Sequence, residues 1–193
     1  MTAQPNDPHI GLVVEGQGDL NALPILLRRR LWQREIHKDI LGKPVSCNGR
    51  EKAVMPTGLE GFVAVAAARP GCRSVLVVVD GEKDLVCELG PSLLSRARDV
   101  TRLPVAICLA ERTYEDWLFA SCETLDIGSL RYRRTVAGLG AVVAALKPAK
   151  YVKPTWQPRL TERLDLDVAM RRSGSLRRMI NHFDTLVDDL LEG

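Results

Sequence analysis

Continuous apolar runs, rather than alternating apolar and polar positions, mark the predicted strands of this 193-residue chain. The clearest run is SVLVVVD at 74–80, and shorter ones occupy 10–15 (IGLVVE) and 104–109 (PVAICL). A strand without polar alternation is covered on both faces, which is typical of a parallel sheet. One more short strand is predicted within 44–50.

Apolar positions at helical spacing predict helices between and after these strands. The first helix follows Gly16 and Gly18 with Asp19 or Asn21 as its N-cap, and Pro24 falls in its first turn if Asn21 is the cap. Segment 136–146 fits either a helix or a strand, and 147–158 has the composition of a loop. Further helices are predicted at 57–68, 91–100, 114–122, 161–170 and 176–191.

The alternation of strands and helices predicts an α/β fold. We expect an open, mostly parallel sheet with right-handed crossovers, helices on both faces and a helical C-terminal extension. The chain length favours a single domain. The expected division is an α/β core at 1–125 and a helical extension at 126–193 that packs on the same domain.

Charge is segregated along the chain, although its total is nearly balanced. The 27 Lys and Arg residues against 24 Asp and Glu residues leave a formal charge of +3, too small to indicate a nucleic-acid surface by itself. Acidic residues cluster at 80–88 and 111–116, whereas basic residues cluster at 28–34, 131–134, 147–153 and 171–178. This pattern favours a metal pocket beside a phosphate-binding rim.

Several classes of protein are disfavoured by the sequence. The five cysteines are widely spaced and form no C-x-x-C pair, so neither a zinc site nor a disulfide framework is expected. The first residues lack the apolar stretch of a signal peptide, and no apolar run approaches the roughly 20 residues that span a bilayer. We expect a cytoplasmic protein that does not enter the membrane.

Acidic residues stand where two of the predicted strands end. Glu15 closes the first strand and Asp80 closes the Val-rich strand. Glu82 and Asp84 follow Asp80 at alternating positions, so Asp80, Glu82 and Asp84 point to one side if the backbone stays extended. The carboxyl ends of parallel strands form a ligand crevice. Carboxylates 4 Å apart repel by roughly 4 kcal/mol at an effective dielectric of 20, which a cation or a raised pKa offsets. With oxygen ligands and no histidine adjacent, Mg²⁺ or Mn²⁺ is the predicted ion.

The motifs VVEGQGD at 13–19 and VVVDGEKD at 77–84 together resemble the Toprim fold of topoisomerases, primases and nucleases of the overcoming-lysogenization-defect type. The resemblance implies that Glu15, followed by Gly16, acts as a general acid or base or joins the metal shell. It also implies that Asp80 and Glu82 hold Mg²⁺. Glu82 stands where the Toprim pattern usually has aspartate, which leaves Asp84 as an alternative ligand.

The rest of the chain resembles a bacterial Toprim-related family of unknown function, often described beside ATPase genes. The similarity lies in E-x-x-x-E-D-W at 111–117, KPAKYVK at 147–153 and SGSLRR at 173–178. It implies Glu115 as a further metal-site residue with Glu111 behind it, one helical turn apart if that helix starts early.

The basic clusters supply candidates for binding phosphate groups, by point charge or by a bidentate guanidinium. Tyr151 and Trp156, which lie among the lysines, are candidates for stacking a base. The predicted phosphate-binding residues are Lys150, Lys153, Arg177 and Arg178.

Three functions remain open from the sequence. The first is a Mg²⁺- or Mn²⁺-dependent nuclease that acts on DNA or RNA. Such a nuclease would be the effector of an ATPase partner in bacterial defence, and it could form a homo-oligomer. The second is a catalytically silent module that binds a metal or a partner. The third is a receiver-like phosphoacceptor with Asp80 phosphorylated and Lys147 supplying the lysine. A dinucleotide-binding loop is disfavoured because Asn21 replaces its third glycine, and no G-K-[ST] of a P-loop follows the strand.

Overall fold

The computed structural model describes residues 7–193, whose strands form one parallel four-stranded sheet. The strands are β1 (His9–Val14), β2 (Val45–Ser46), β3 (Cys72–Asp80) and β4 (Val105–Ala110), arranged in the order β2-β1-β3-β4. All neighbouring strands run parallel. The predicted α/β fold is confirmed, and every position of β3 from 74 to 80 is buried, as its continuous apolar run indicates.

Helices flank the sheet on both faces. None of those within residues 7–193 combines the length and apolar character needed to cross a membrane. The described helices are α1 (Gln17–Gln33), α2 (Arg50–Val54), α3 (Gly58–Ala67), α4 (Val86–Arg98), α5 (Tyr114–Phe119), α6 (Gly138–Ala145), α7 (Lys153–Arg163), α8 (Leu166–Arg172) and α9 (Gly174–Glu192).

Two hydrophobic clusters sandwich the sheet. Alternate residues of β1 face opposite sides, so Leu12 and Val14 join one cluster while Val13 joins the other. The first cluster includes residues of α1, α5, α7 and α9, and the second includes residues of α2, α3 and α4. The C-terminal α9 packs on β4, β1 and β3 and buries Phe183 completely. The C-terminal helices therefore contribute to the same core as the first strands.

The crossovers reverse direction between β1 and β3. From β1 the chain passes through α1 on the first face to β2, whereas from β3 it passes through α4 on the second face to β4. Because the two connections leave adjacent strands toward opposite faces, a crevice opens at the carboxyl ends of β1 and β3. Glu15 directly follows β1, and Asp80 is the last residue of β3.

Several helix boundaries differ from the predicted ones. Helix α1 begins at Gln17 because the Asp19 carboxylate, already inside the first turn, accepts a hydrogen bond from the Gly16 N–H at 3.0 Å. Pro24 consequently lies inside the helix rather than in its first turn. Helix α4 likewise begins before the predicted start, with Pro91 inside it. The unassigned segment 136–146 forms α6.

The predicted loop at 147–158 is wrong in its second half, which forms the start of α7. Pro154 occupies the first turn of that helix, where its missing N–H costs little. The predicted continuous helix at 161–170 is instead divided between α7 and α8. Asp165 starts α8 by accepting a hydrogen bond from the Val168 N–H at 2.8 Å.

Close packing of α1 on α7 depends on Gly18. A Cβ atom at this position would lie 1.8 Å from Gln157 Oε1 and 3.0 Å from the Cβ of Lys153. Because glycine leaves this space free, the first turns of the two helices approach closely. This approach brings Lys153 to the crevice.

We predict that Gly18→Ala lowers the free energy of unfolding by about 1–3 kcal/mol, because the new methyl group overpacks the contact between α1 and α7. Chemical denaturation measures the change. The matched control is Gly61→Ala in α3, where an added Cβ meets nothing within 4 Å. This control should leave stability unchanged or raise it by up to about 1 kcal/mol. Equal stability of the two variants would contradict the proposed contact.

Candidate functional site

Four carboxyl groups and one ammonium group gather in the crevice between β1 and β3. Glu15 follows β1, Asp19 lies in the first turn of α1, Asp80 ends β3 and Glu115 lies in α5. The charges of Glu15, Asp19 and Glu115 all act on Asp80. The single ammonium group belongs to Lys153, the first residue of α7. We refer to these five residues as the acidic crevice.

The two strand-end carboxylates lie side by side. The backbone N–H of Asp80 donates a hydrogen bond to Oε2 of Glu15 at 3.0 Å. The backbone N–H of Tyr114, at the start of α5, donates to Oδ1 of Asp80 at 2.8 Å. Within the described chain, neither carboxylate forms an ion pair with an arginine. No arginine of the described chain therefore neutralises either carboxylate.

Glu115 is completely buried, and only one of its oxygens is hydrogen-bonded. Its Oε1 accepts from the Tyr151 hydroxyl at 2.6 Å and from Nε2 of Gln157 at 2.9 Å. Its Oε2 has no hydrogen-bond partner, and neither does Oε1 of Gln157. A buried carboxylate oxygen without a donor is unfavourable unless a positive charge lies close to it.

Lys153 supplies a positive charge at this position. Its Nζ lies 3.5 Å from Oδ2 of Asp80 and 3.9 Å from Oε2 of Glu115. Burial alone would lower the pKa of this lysine, but the charges of Glu115, Asp80, Asp19 and Glu15 outweigh burial and raise it. The lysine is therefore charged and acts as the internal counter-ion of the acidic crevice.

One ammonium group is too little charge for four carboxylates, so the crevice retains protons. Burial, followed by the charge of Glu15, raises the pKa of Asp80 from 3.8 to about 8. Burial also raises the pKa of Glu15, although the hydrogen bond from Asp80 opposes it. Burial raises the pKa of Asp19 against the opposing charge of Lys153. A protonated carboxyl group at neutral pH is typical of functional sites.

Glu82 and Asp84 lie outside the acidic crevice, because the backbone does not stay extended after β3. The chain turns at Gly81, whose carbonyl accepts from the Asp84 N–H at 3.0 Å, and Glu82 adopts a left-handed φ of +49°. Both side chains are exposed and form ion pairs with Arg50. The turn thus directs them away from the position that the extended-strand prediction gave them.

Glu111 is likewise separated from Glu115. Helix α5 begins only at Tyr114, with Thr113 as its N-cap, so the two glutamates do not share a helical face. Glu111 lies in the preceding loop, is exposed and lines a different cavity.

Of the four predicted phosphate-binding residues, Lys153 alone reaches the acidic crevice. Lys150 is exposed, Arg177 is exposed on α9, and Arg178 lines the same cavity as Glu111.

The aromatic residues predicted to stack a base have other contacts. The Tyr151 hydroxyl is bonded to Glu115, and Trp156 donates to the carbonyl of Lys150 at 3.1 Å.

Sequence reasoning assigned no site role to Asp19 or Gln157 and treated Tyr151 only as a stacking group. A signal for Asp19 was present, since an acid in the first turn after a strand-end glutamate faces the same crevice. Gln157 gave no local signal, because its segment was predicted to be a loop.

The carboxylates match the chemistry of a hard divalent cation but do not form a preassembled metal site. Within residues 7–193, no group of three or more His, Cys, Asp or Glu side chains is arranged to hold an ion. Carboxylate oxygens are the ligands that Mg²⁺ and Mn²⁺ prefer. The position flanked by Asp80 Oδ2 and Glu115 Oε2 holds the ammonium group of Lys153.

Neither a protein-family model, nor a curated protein, nor a solved structure matches this chain. The side chains of the acidic crevice and their contacts are therefore the basis for inferring a function.

We predict that Asp80→Asn stabilises the protein in metal-free buffer, increasingly so as pH rises from 5 to 8. The pKa of Asp80 is raised on folding, so the folded wild type holds a proton that the unfolded chain releases above pH 3.8. The contribution of Asp80 to wild-type stability therefore falls as pH rises, until the pH passes about 8. Asparagine mimics the protonated form and still accepts from Tyr114. The difference should reach roughly 2–4 kcal/mol near pH 8.

Denaturant unfolding at four pH values between 5 and 8, with a chelator present, measures this difference. The control is Asp84→Asn, which removes an exposed carboxylate outside the acidic crevice. A stability difference for Asp80→Asn that does not change with pH, or that follows the control, would show that the pKa of Asp80 is not raised.

Proposed function

We propose that this protein is a divalent-metal-dependent phosphodiesterase of Toprim type, a nuclease acting on DNA or RNA. The observation that carries the proposal is the meeting of four carboxyl groups around one ammonium where the crossovers reverse. Ligands of open α/β sheets bind in such a crevice, and carboxyl groups with perturbed pKa values cluster at functional sites. The resemblance to Toprim motifs also implies that Glu15 and Asp80 belong to the active site.

The proposed metal ligands are Asp80 and Glu115, with Glu15 and Asp19 as the remaining carboxylates of the crevice. The unbonded Oε2 of Glu115 supports this choice, because a cation would satisfy it. A bound Mg²⁺ or Mn²⁺ would polarise a phosphoryl oxygen and lower the pKa of a water molecule. Glu82 is not among these ligands, because Arg50 holds it outside the crevice.

Protein side chains supply the remaining steps of the proposed reaction. Glu15 is half-buried with a raised pKa, so it exchanges a proton closer to neutral pH than an ordinary glutamate and suits general acid or base catalysis. Lys153, once released from Asp80 and Glu115, would donate to a phosphoryl oxygen as a point charge. Tyr151 hydrogen-bonds Glu115 and fixes its orientation.

A catalytically silent binding module is the second candidate. The observation that favours it is that Lys153 already neutralises part of the acidic charge. A receiver-like phosphoacceptor has less support, because Asp80 is only 6% exposed and its pKa of about 8 leaves it a poor nucleophile at neutral pH. Lys147 is exposed at the end of α6, whereas the lysine beside Asp80 is Lys153. An ATPase partner and a homo-oligomer belong to the nuclease proposal.

We predict that the purified protein cleaves nucleic acid with Mg²⁺ or Mn²⁺, and that three substitutions each reduce the rate at least about 100-fold. These substitutions are Glu15→Gln, Asp80→Asn and Glu115→Gln, which keep side-chain size but replace each carboxyl group with an amide. The control is Glu162→Gln, an exposed residue of α7 that carries no role in the crevice. Gel assays with single- and double-stranded DNA and with RNA, alone and with an ATPase partner, measure cleavage.

Calorimetric titration of the same proteins with Mn²⁺ separates the two candidate functions. Mn²⁺ binding that is lost in Asp80→Asn, without any cleavage by the wild type, supports the silent module. The nuclease proposal is wrong if the wild type cleaves none of these substrates, or if Asp80→Asn cleaves as fast as the control.

A further inference from the structure

A second cavity, of about 390 Å³, lies where α9 begins. Its volume is within the range of small-molecule sites. It is also lined by the loop between β4 and α5. Tyr114 and Glu115, which directly follow this loop, contribute to the acidic crevice. Its ionisable lining is mainly basic and comprises Arg112, Arg134, Arg172, Arg178, Glu111 and Asp116.

Some of these charges are already neutralised within the protein. Asp116 accepts from Arg112 at 3.1 Å and from the Gly138 N–H at 2.6 Å. Arg172 donates to Glu123 at 2.7 Å, and its guanidinium lies 4.9 Å from the centre of the Tyr132 ring. Arg112 and Arg172 are therefore paired with acidic residues of the protein itself.

Two arginines of the cavity remain without partners. Within residues 7–193, neither Arg134 nor Arg178 takes part in a hydrogen bond or an ion pair. The lining acid that no arginine holds is Glu111, which is exposed. The cavity therefore presents an excess of positive charge. An unpaired guanidinium has five donors that suit phosphate oxygens.

The start of α9 adds backbone donors to the same cavity. Ser173 caps the 19-residue helix by accepting from the Leu176 N–H at 3.2 Å. The amides of Gly174 and Ser175, both of which line the cavity, are left without an acceptor in the helix. The first turn contains no acidic residue, although acids are favoured there, and Arg178 follows instead. A bound anion would satisfy both the helix dipole and this arginine.

We propose that this cavity is a phosphate-binding site. The phosphate oxygens would accept hydrogen bonds from the amides of Gly174 and Ser175 and from the guanidinium groups of Arg134 and Arg178. The ligand class is a phosphate group, either free or carried by a polynucleotide. A polynucleotide phosphate held here would place the strand beside the acidic crevice; that extension rests on the proposed nuclease function, whereas phosphate binding does not.

Calorimetric titration of the wild type and of the Arg134→Ala/Arg178→Ala double variant tests the proposal. The probes are inorganic phosphate and a short oligonucleotide with either a 5′-phosphate or a 5′-hydroxyl group. We expect wild-type binding of phosphate and at least a tenfold loss of affinity in the double variant. The control is Arg171→Ala, an exposed residue of α8 that does not line the cavity and should leave affinity unchanged. Both target side chains are exposed, so the fold should survive, and circular dichroism checks this.

The outcomes are distinct. Tighter binding of either oligonucleotide than of inorganic phosphate, lost in the double variant, supports the site with a polynucleotide ligand. Equal, arginine-dependent binding of phosphate and the phosphorylated oligonucleotide supports it with a free phosphate group. No phosphate binding by the wild type, or equal losses in Arg171→Ala and the double variant, overturns it. Phosphate binding by Asp80→Asn should persist, so the failure of nuclease activity would leave this site standing.

Discussion

The whole site depends on one electrostatic constraint: four carboxyl groups share a buried crevice with a single ammonium group. Two carboxylates 4 Å apart repel by roughly 4 kcal/mol at an effective dielectric of 20, so the arrangement needs protons or cations to persist. Lys153 supplies one positive charge, and the raised pKa of Asp80 retains a proton. The fold maintains the constraint, because the crossovers diverge between β1 and β3 and Gly18 lets α7 approach.

The sequence predicts the parts of this crevice that have a local signal. Glu15 and Asp80 end apolar runs, and parallel strands put such residues at one edge of a sheet. Glu82 was misplaced because the turn after β3, with its left-handed residue, depends on hydrogen bonds to the neighbouring β4–α5 loop. Lys153 was predicted to bind phosphate from a loop. Its helical position beside Asp80 follows from packing against Gly18, which no local pattern reveals.

The segment that joins β4 to α5 connects the acidic crevice with the basic cavity. At the end of this segment, the N–H of Tyr114, the first residue of α5, donates to the Asp80 carboxylate, and Glu115 enters the crevice from the next position. Asp116, one residue further, accepts hydrogen bonds from Arg112 and from the first residue of α6 at the basic cavity. The first three residues of α5 therefore contact both the acidic crevice, which is suited to a cation, and the basic cavity, which is suited to an anion. Such a pairing suits a substrate that carries phosphate groups and is processed with a metal ion.

The most direct test of the central claim is the anomalous diffraction of crystals soaked with Mn²⁺. If a divalent ion displaces the proton of Asp80 and supplies the positive charge that Lys153 does not provide, a peak should appear between the Asp80 and Glu115 carboxylates. The Lys153 ammonium should then be displaced from its position 3.5 Å from Asp80. Crystals that show no peak in the crevice, with that ammonium still in contact with Asp80, would contradict the claim.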